Sequence, residues 1–307
     1  MTSTTITKPA ADERFDLTTA RIGVLINTSS GSCDVGAQSD LQALLDDAGL
    51  KAVQTWCGGG DEVDAALAEA GKHSLEVLIV LGGDGTIRAA AETCHSGGTR
   101  LIPLPGGTMN VLPKALYGAR SWREALKDTL ADCVVQAVHG GAVGAHRFYI
   151  AGIFGGPTKI ADAREAVREG DLAGAMEKGV AAIRESFTSA GVEYAFANHS
   201  GTAEAVAVIC PLISRGLDDD EETLEAAAIK VESAPDALRL AINAAFRDWR
   251  EDPTVVLAKT RAIEMSCDRS IPALLDGERF TLGHTASVSF VRDAFEALRP
   301  RETEGDA

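Results

Sequence analysis

The stretch Val77-Leu78-Ile79-Val80-Leu81-Gly82-Gly83-Asp84-Gly85-Thr86 decides the fold. Its aliphatic run, rich in β-branched residues and without polar alternation, predicts a strand buried on both faces. The glycines that follow open backbone dihedrals closed to other residues and allow close approach to a ligand, and a helical pattern begins at Thr86. Amide N–H groups at a helix start, together with the positive end of the helix dipole, suit such a loop to phosphate oxygens. Asp84 within it is placed to reach a metal–phosphate group directly or through water. The chain has no G-x-x-x-x-G-K-[ST] segment, and the loop lacks G-x-G-x-x-G, so neither common nucleotide fingerprint explains it.

The same unit recurs on both sides. Ile22–Ile26 predicts a strand, Asn27–Gly31 a polar turn, Ser39–Asp47 a helix, Lys51–Thr55 a strand, Asp61–Ala70 a helix and Leu101–Leu104 a further strand. Such alternation implies an α/β fold with a parallel sheet covered by helices, and ligands bind at the carboxyl ends of its strands. Pro103-Leu104-Pro105-Gly106-Gly107-Thr108-Met109-Asn110 is a second loop at such an end. It offers the Thr108 hydroxyl and, in Asn110, a cap for the next helix. Asn27-Thr28-Ser29-Ser30-Gly31 is commonplace in composition and matters through its position. The tips of all these loops are expected to converge on one nucleotide.

From about Ala131 the texture changes. Val134–Val138 and Arg147–Phe154 read as strands flanking Gly140-Gly141 as in a hairpin, and Tyr194–Phe196, Ala205–Cys210, Ala227–Val231, Thr254–Ala258 and Ala262–Ser266 follow. A second, mainly antiparallel β-rich domain is expected. Apolar residues at helical spacing, Ala173, Met176, Val180, Ile183 and Phe187, then Leu238, Ile242, Phe246 and Trp249, predict helical insertions that pack on the sheet, with a lipid-facing lid as the competing reading. In Leu274-Leu275-Asp276-Gly277-Glu278 the Asp-Gly pair between apolar runs has the chemistry of a hairpin turn.

Composition narrows the function classes. A chain of 307 residues, 45% hydrophobic and 24% charged, has the balance of a globular protein with a sizeable core. With 29 Lys+Arg against 45 Asp+Glu and a formal charge of -16, nucleic acid is not an expected partner. The cysteines Cys33, Cys57, Cys94, Cys133, Cys210 and Cys267 form no C-x-x-C pair, which predicts reduced thiols in the cytoplasm rather than a zinc site or disulfide framework. Residues 1–20 lack the basic head and apolar stretch of a signal peptide and read as a loose tail. The apolar runs fall short of the ~18 residues of a membrane span, so any contact with the inner face of the membrane is expected to be peripheral.

Charge is unevenly spread. Between residues 86 and 127, Arg88, Arg100, Lys114, Arg120, Arg123 and Lys127 face only Glu92 and Glu124, a local +4 that suggests a basic face for ATP or an anionic membrane. Asp218-Asp219-Asp220-Glu221-Glu222 reads as a solvated loop.

Gly-Gly-Asp-Gly-Thr around Asp84, the Pro-x-Gly-Gly-Thr-x-Asn segment ending at Asn110 and the later Asp276-Gly277-Glu278, in this order and spacing, resemble the diacylglycerol kinase catalytic-domain family, which includes bacterial diacylglycerol, sphingosine and ceramide kinases. The likeness spans roughly Arg21 to Pro300. It implies a nucleotide domain over 21–132 completed by 291–300, a lipid domain over 133–290 and a cleft between them. It also implies ATP and Mg²⁺ as cofactors. Asn27, Thr28, Ser29, Ser30, Gly31, Thr55, Gly82, Gly83, Asp84, Gly85, Thr86, Gly107, Thr108 and Asn110 would surround ATP. Asp276 or Glu278 would take the proton from a lipid hydroxyl. The chain departs from the family at Val111, where an Asp is usual, and at Gly155-Gly156-Pro157-Thr158, where an Asp is missing; both departures bear on an accessory Mg²⁺ network. Because NAD kinases share a Gly-Gly-Asp-Gly core, a soluble-metabolite kinase is the first alternative, and a nucleotide-binding regulatory module that has lost catalysis is the second.

Overall fold

The computed structural model describes residues 13–156, 191–218, 221–230 and 248–301. The apolar stripe from Ala173 to Phe187 and the residues Leu238, Ile242 and Phe246 lie outside them, while Trp249 opens a 3-10 turn, Trp249–Glu251. The chain divides into two compact units. One runs to Val138 and resumes at Asp293; the other is His139–Arg292.

In the first unit β1 (Ile22–Asn27), α1 (Ala37–Asp47), β2 (Ala52–Gly58), α2 (Asp61–Ala70), β3 (Val77–Gly82), α3 (Asp84–Gly97), β4 (Arg100–Pro105), α4 (Val111–Tyr117) and α5 (Trp122–Ala131) follow in order. The strands are parallel in the order β2-β1-β3-β4, and the last part of β16 (Thr285–Pro300) adds to β4 at Ala297↔Leu101, also parallel. Every residue of β3 is buried, as its unbroken apolar run requires. α1 turns Ala37, Leu41 and Leu45 inward at four-residue spacing, and α2 does the same with Val63, Ala66, Leu67 and Ala70. Strand order reverses beside β1, so the loops after β1 and β3 diverge there and leave a crevice at the carboxyl ends.

The expected loose tail is attached over its described part. Arg14 bridges Val134, Phe15 N donates to Cys133 O at 3.1 Å, and Leu17 is buried. The start of β5 (Cys133–Val143) offers backbone partners that composition alone cannot reveal. The expected basic face is also altered. Arg88 pairs with Glu92, Arg100 with Glu296, Arg120 with Asp128, and Arg123 with both Asp34 and Asp40. Acids from outside the segment thus neutralise most of its surplus.

The second unit is mainly antiparallel. One sheet runs β12 (Val255–Thr260), β11 (Leu224–Ile229), β10 (Ala205–Ile209), β7 (Ala151–Gly155), β14 (Pro272–Leu275) and β15 (Glu278–Thr281). A second set pairs the start of β16 with β13 (Ala262–Ser266), then β8 (Val192–Phe196) and β9 (His199–Ala203). Phe148, Phe154, Val206, Val208, Ile263, Leu275 and Val288 share one buried cluster.

Two expectations change here. Gly140-Gly141 is not the hairpin turn: both residues belong to β5, which turns at Gly144 (φ 57) and pairs Val143 with His146 on β6 (His146–Phe148). Gly141 is there because the Phe148 ring occupies the space a Cβ would need. Of the acidic run, Asp219 and Asp220 lie outside the described residues, and its end is paired: Glu221 with Lys259 at 2.9 Å and Glu222 with Arg261 and Arg292.

Candidate active site

Three loops meet at the crevice of the first unit. Asn27 Nδ2 donates to Thr86 Oγ1 at 2.8 Å, joining the end of β1 to the first turn of α3, and Asn27 Oδ1 accepts from Ser29 N at 3.0 Å, shaping the turn between them. Gly83 N donates to Ser30 Oγ at 3.2 Å. Ser32 closes the third side: its N–H reaches Gly106 O at 2.8 Å and its hydroxyl reaches Gly107 O at 3.2 Å.

Contact between the two glycine loops is closer still. A Cβ on Gly106 would stand 2.8 Å from Gly82 N, and one on Gly107 2.7 Å from Gly83 Cα. Backbone packs on backbone here, which only glycine permits. Thr108 is exposed, its Oγ1 3.8 Å from a Cβ on Gly31. The α3 N-cap, Gly83, provides no side-chain cap, so the first amides of that helix remain presented at the crevice.

The cap expected of Asn110 is supplied by Asp84. Asn110 sits in the left-handed region (φ 51, ψ 48) and makes no cap to α4. Its side chain instead clamps Gly107, accepting from Gly107 N and donating to Gly107 O, both at 2.7 Å. The α4 amides are capped from another loop, by Asp84 Oδ1, at 2.8 Å from Val111 N and 3.4 Å from Leu112 N. Asp84 Oδ2 takes no part in that cap. It is the group on this loop that fits a Mg²⁺ carried by nucleotide phosphates, since this ion is commonly held by one or two carboxylates plus phosphate oxygens.

Thr28 is exposed and its N–H donates to Gly58 O at 2.9 Å, tying the first loop to the end of β2. Thr55 stands apart from the converging loops, on β2. With Ile26 it lines two open cavities of about 360 and 390 Å³, one against α2 beside Trp56 and Glu62, the other against α1 beside Gln38 and Gln42. The Cys33 thiol, just past the first loop, is pushed up to about 11, first by burial and then by the neighbouring Cys57 and Asp34.

In the second unit Asp276-Gly277 is a two-residue hairpin turn, with Leu275 opposite Glu278 and both turn residues at positive φ (48 and 92). This is the type I′ geometry its sequence predicts. The Asp276 carboxylate folds back on the link between β6 and β7. Oδ2 accepts from Tyr149 N at 2.7 Å, and Oδ1 accepts from Ile150 N and Ala151 N, both at 2.9 Å. Behind it lies the Cys210 thiol, raised well above its usual value by burial first and by the Asp276 charge second. Glu278, the first residue of β15, is exposed.

Sequence reasoning missed Ser32, one position beyond the polar run it singled out, and read Arg123 only as part of a basic face, whereas its guanidinium fixes the far side of the first loop through Asp34 at 2.8 Å. Ser32 had a signal, since Ser29-Ser30-Gly31-Ser32 continues the same small polar pattern. The pairing of Arg123 had none, because its partners lie more than 80 positions away.

Comparison with known proteins bears on the fold and on residues 21–142. The family model for the diacylglycerol kinase catalytic domain matches residues 21–142. A solved structure of a candidate diacylglycerol kinase from Bacillus anthracis str. Sterne is similar at a TM-score of 0.69 and 16% identity, covering 91% of this chain and 96% of that one. A structure of a diacylglycerol kinase from the same organism is similar at a TM-score of 0.67 and 18% identity, covering 91% and 97%. No curated protein matches the chain. Among the described residues no helix is long and apolar enough to cross a membrane. Residues 21–142 thus carry the match to the diacylglycerol kinase catalytic domain, a kinase domain, and the chain has the fold of the solved bacterial proteins that bear the diacylglycerol kinase name.

Proposed function

We propose that the chain is an ATP-dependent lipid kinase, transferring the γ-phosphoryl group to a primary hydroxyl of a diacylglycerol, ceramide or sphingoid base at a membrane surface. The observation that carries this reading is the meeting of the Asn27–Gly31, Gly82–Thr86 and Gly106–Asn110 loops around the uncapped start of α3. In this reading ATP phosphates lie against the amides of Gly85 and Thr86, with Gly82, Gly83 and Gly31 lining the approach, the hydroxyls of Ser29, Ser30 and Thr108 around them and Thr55 toward the base and ribose. Asn110 serves by holding Gly107 in place. Mg²⁺, held by Asp84 with the phosphates, would supply charge neutralisation on the transferred group.

The reaction breaks the bond from the γ-phosphorus to the bridging oxygen of ADP and forms one to the lipid oxygen. The hydroxyl proton passes to a carboxylate of the Asp276-Gly277-Glu278 turn. Positioning and fixed dipoles carry most of the acceleration, and a base within hydrogen-bond reach adds about 10²–10⁴-fold. Incubation with labelled ATP and a panel of diacylglycerol, ceramide and sphingosine, beside a parallel incubation with NAD, tests the reading. Label in a lipid extract is expected, and label only in NAD would replace the lipid acceptor by a soluble one.

A further inference from the structure

Residues 32–36, which link the first loop to α1, reach across to the third loop. Ser32 N donates to Gly106 O at 2.8 Å and its hydroxyl to Gly107 O at 3.2 Å, while Cys33 N turns back to Ser30 O at 3.0 Å. Gly107 in turn packs on Gly83 at the start of α3, where a Cβ on Gly107 would stand 2.7 Å from Gly83 Cα. No residue from Ser32 to Gly36 is buried, so polar ties rather than the apolar core must hold this link. The tie comes from α5. Arg123 Nη2 donates to Asp34 Oδ2 at 2.8 Å and to Asp40 Oδ2 at 2.6 Å, and its Nε donates to Asp40 Oδ2 at 2.9 Å. Asp34 passes the hold to the backbone, since its Oδ1 accepts from Gly36 N at 3.1 Å. Arg123 is itself steadied, its guanidinium 4.2 Å above the ring of buried Trp122 at the head of a helix that opens with a Ser121–Glu124 capping box. A planar fork that meets two carboxylates fixes them in direction as well as distance. The three side chains are 40%, 56% and 46% exposed, and ion pairs so exposed contribute little to global stability.

We infer that Arg123 is a positioning residue for the nucleotide: through Asp34 and Asp40 it holds the 32–36 link, and through Ser32 that link holds the Gly106–Gly107 backbone against the start of α3. The inference rests on the kinase reading above. Without the tie the link samples many conformations, and ATP must order it on binding, so affinity falls with the fraction of chains in which the link is in place. Once ATP is bound the crevice is complete, and the transfer step keeps its rate.

The full chain and its Arg123→Gln, Arg123→Lys, Ser32→Ala and doubly changed Arg123→Gln, Ser32→Ala variants test the assignment. Each is titrated with ATP and Mg²⁺ in a calorimeter, assayed for label transfer to dispersed diacylglycerol, ceramide and sphingosine, and melted without nucleotide. Arg123→Gln is expected to raise Kd and KM for ATP about five- to tenfold, keep kcat within about twofold and move the melting temperature by at most about 4 °C. Arg123→Lys, whose single ammonium cannot span both carboxylates, recovers part of the affinity. Ser32→Ala should also weaken ATP binding, and the double variant should lose less than the product of the two single losses, because both act through one link. A merely structural residue would lower the melting temperature without this coupling. Unchanged ATP affinity in Arg123→Gln, or losses that multiply in the double variant, overturns the assignment and leaves the kinase reading intact. Should Arg123→Gln fail to fold, Asp34→Asn, which breaks the same tie from the side of the link, decides in its place. A wild-type chain that binds no ATP refutes the underlying reading and the assignment with it.

Discussion

Asp84 Oδ1 joins the loop after β3 to the start of α4 by accepting from Val111 N and Leu112 N. Charge and cap can therefore be separated. Asp84→Asn keeps an oxygen for the cap and is expected to hold stability within about 0.5 kcal/mol, whereas Asp84→Ala loses about 1 kcal/mol, as helix caps do. Both should abolish phosphate transfer; urea denaturation beside a transfer assay distinguishes the two effects. Equal stability losses in the two variants would contradict the capping role. A second residue-scale case is Glu225, 6% exposed in its side chain, which receives Arg250 Nε at 2.5 Å and Nη2 at 3.0 Å and also the Ser214 hydroxyl. Arg250→Met strands that carboxylate without its cation and is expected to cost about 3–5 kcal/mol, with the double change to Glu225→Leu recovering most of it. A denaturant midpoint unmoved by Arg250→Met would contradict this. Neither Asp84's cap nor the Glu225 pair could be read from sequence. Each joins residues 25 or more positions apart, and local pattern sees only neighbours.

Between elements, the close fit of the two glycine loops is the feature on which the crevice depends. Gly107→Ala places a methyl 2.7 Å from Gly83 Cα, a backbone atom that cannot swing aside, and 3.3 Å from Asn110 Oδ1. The expected result is a loss of about 1–3 kcal/mol in stability together with weaker ATP binding. Gly31→Ala, whose nearest neighbour is Thr108 Oγ1 at 3.8 Å, should leave stability unchanged. Calorimetric unfolding of the pair checks this, and equal melting points would show that the loops can part without strain. These elements were the most legible part of the chain. An apolar run such as Val77–Leu81 states its own burial, and Gly-Gly after it states a loop, so β1 to β4 appear within a few residues of where the periodicity put them. The turn at Gly144 was less legible, because Gly140-Gly141 resembles a turn but exists to receive the Phe148 ring, a partner known only after folding. At Asp276-Gly277 the hairpin that the sequence states is present, and the Asp276 carboxylate is bound to the Tyr149 amide, a contact that local pattern does not state.

For the whole molecule, the charge of -16 is organised by pairing more than by patches. The segment that looked basic from residues 86 to 127 meets Asp34, Asp40, Asp128 and Glu296, and the end of the acidic run meets Lys259, Arg261 and Arg292. Composition counts charges and cannot place them, which is why both readings needed correction. A pH dependence follows. The Arg123 hydrogen bond, aided by the Gly36 and Ala37 amides, holds the Asp34 carboxyl below its usual 3.8. A depressed carboxyl stabilises above its unfolded value and loses that contribution as pH falls through the lowered folded value. Asp34→Asn should therefore narrow the stability difference between neutral and acid solution, with little change in the acid-unfolded limit; an unaltered acid slope would contradict the pairing. Among the described residues of the first unit, the ties from Arg123 to Asp34 and Asp40 bind α5 to the loop and helix after β1, the same loop on which the proposed ATP site depends.

The central claim is tested most directly by supplying the purified chain with γ-labelled ATP and Mg²⁺ and extracting lipid after incubation with diacylglycerol, ceramide and sphingosine in mixed micelles. The account predicts label in the extract with at least one of these acceptors, lost in Asp84→Ala. Tight ATP binding with no labelled lipid in any incubation would contradict it.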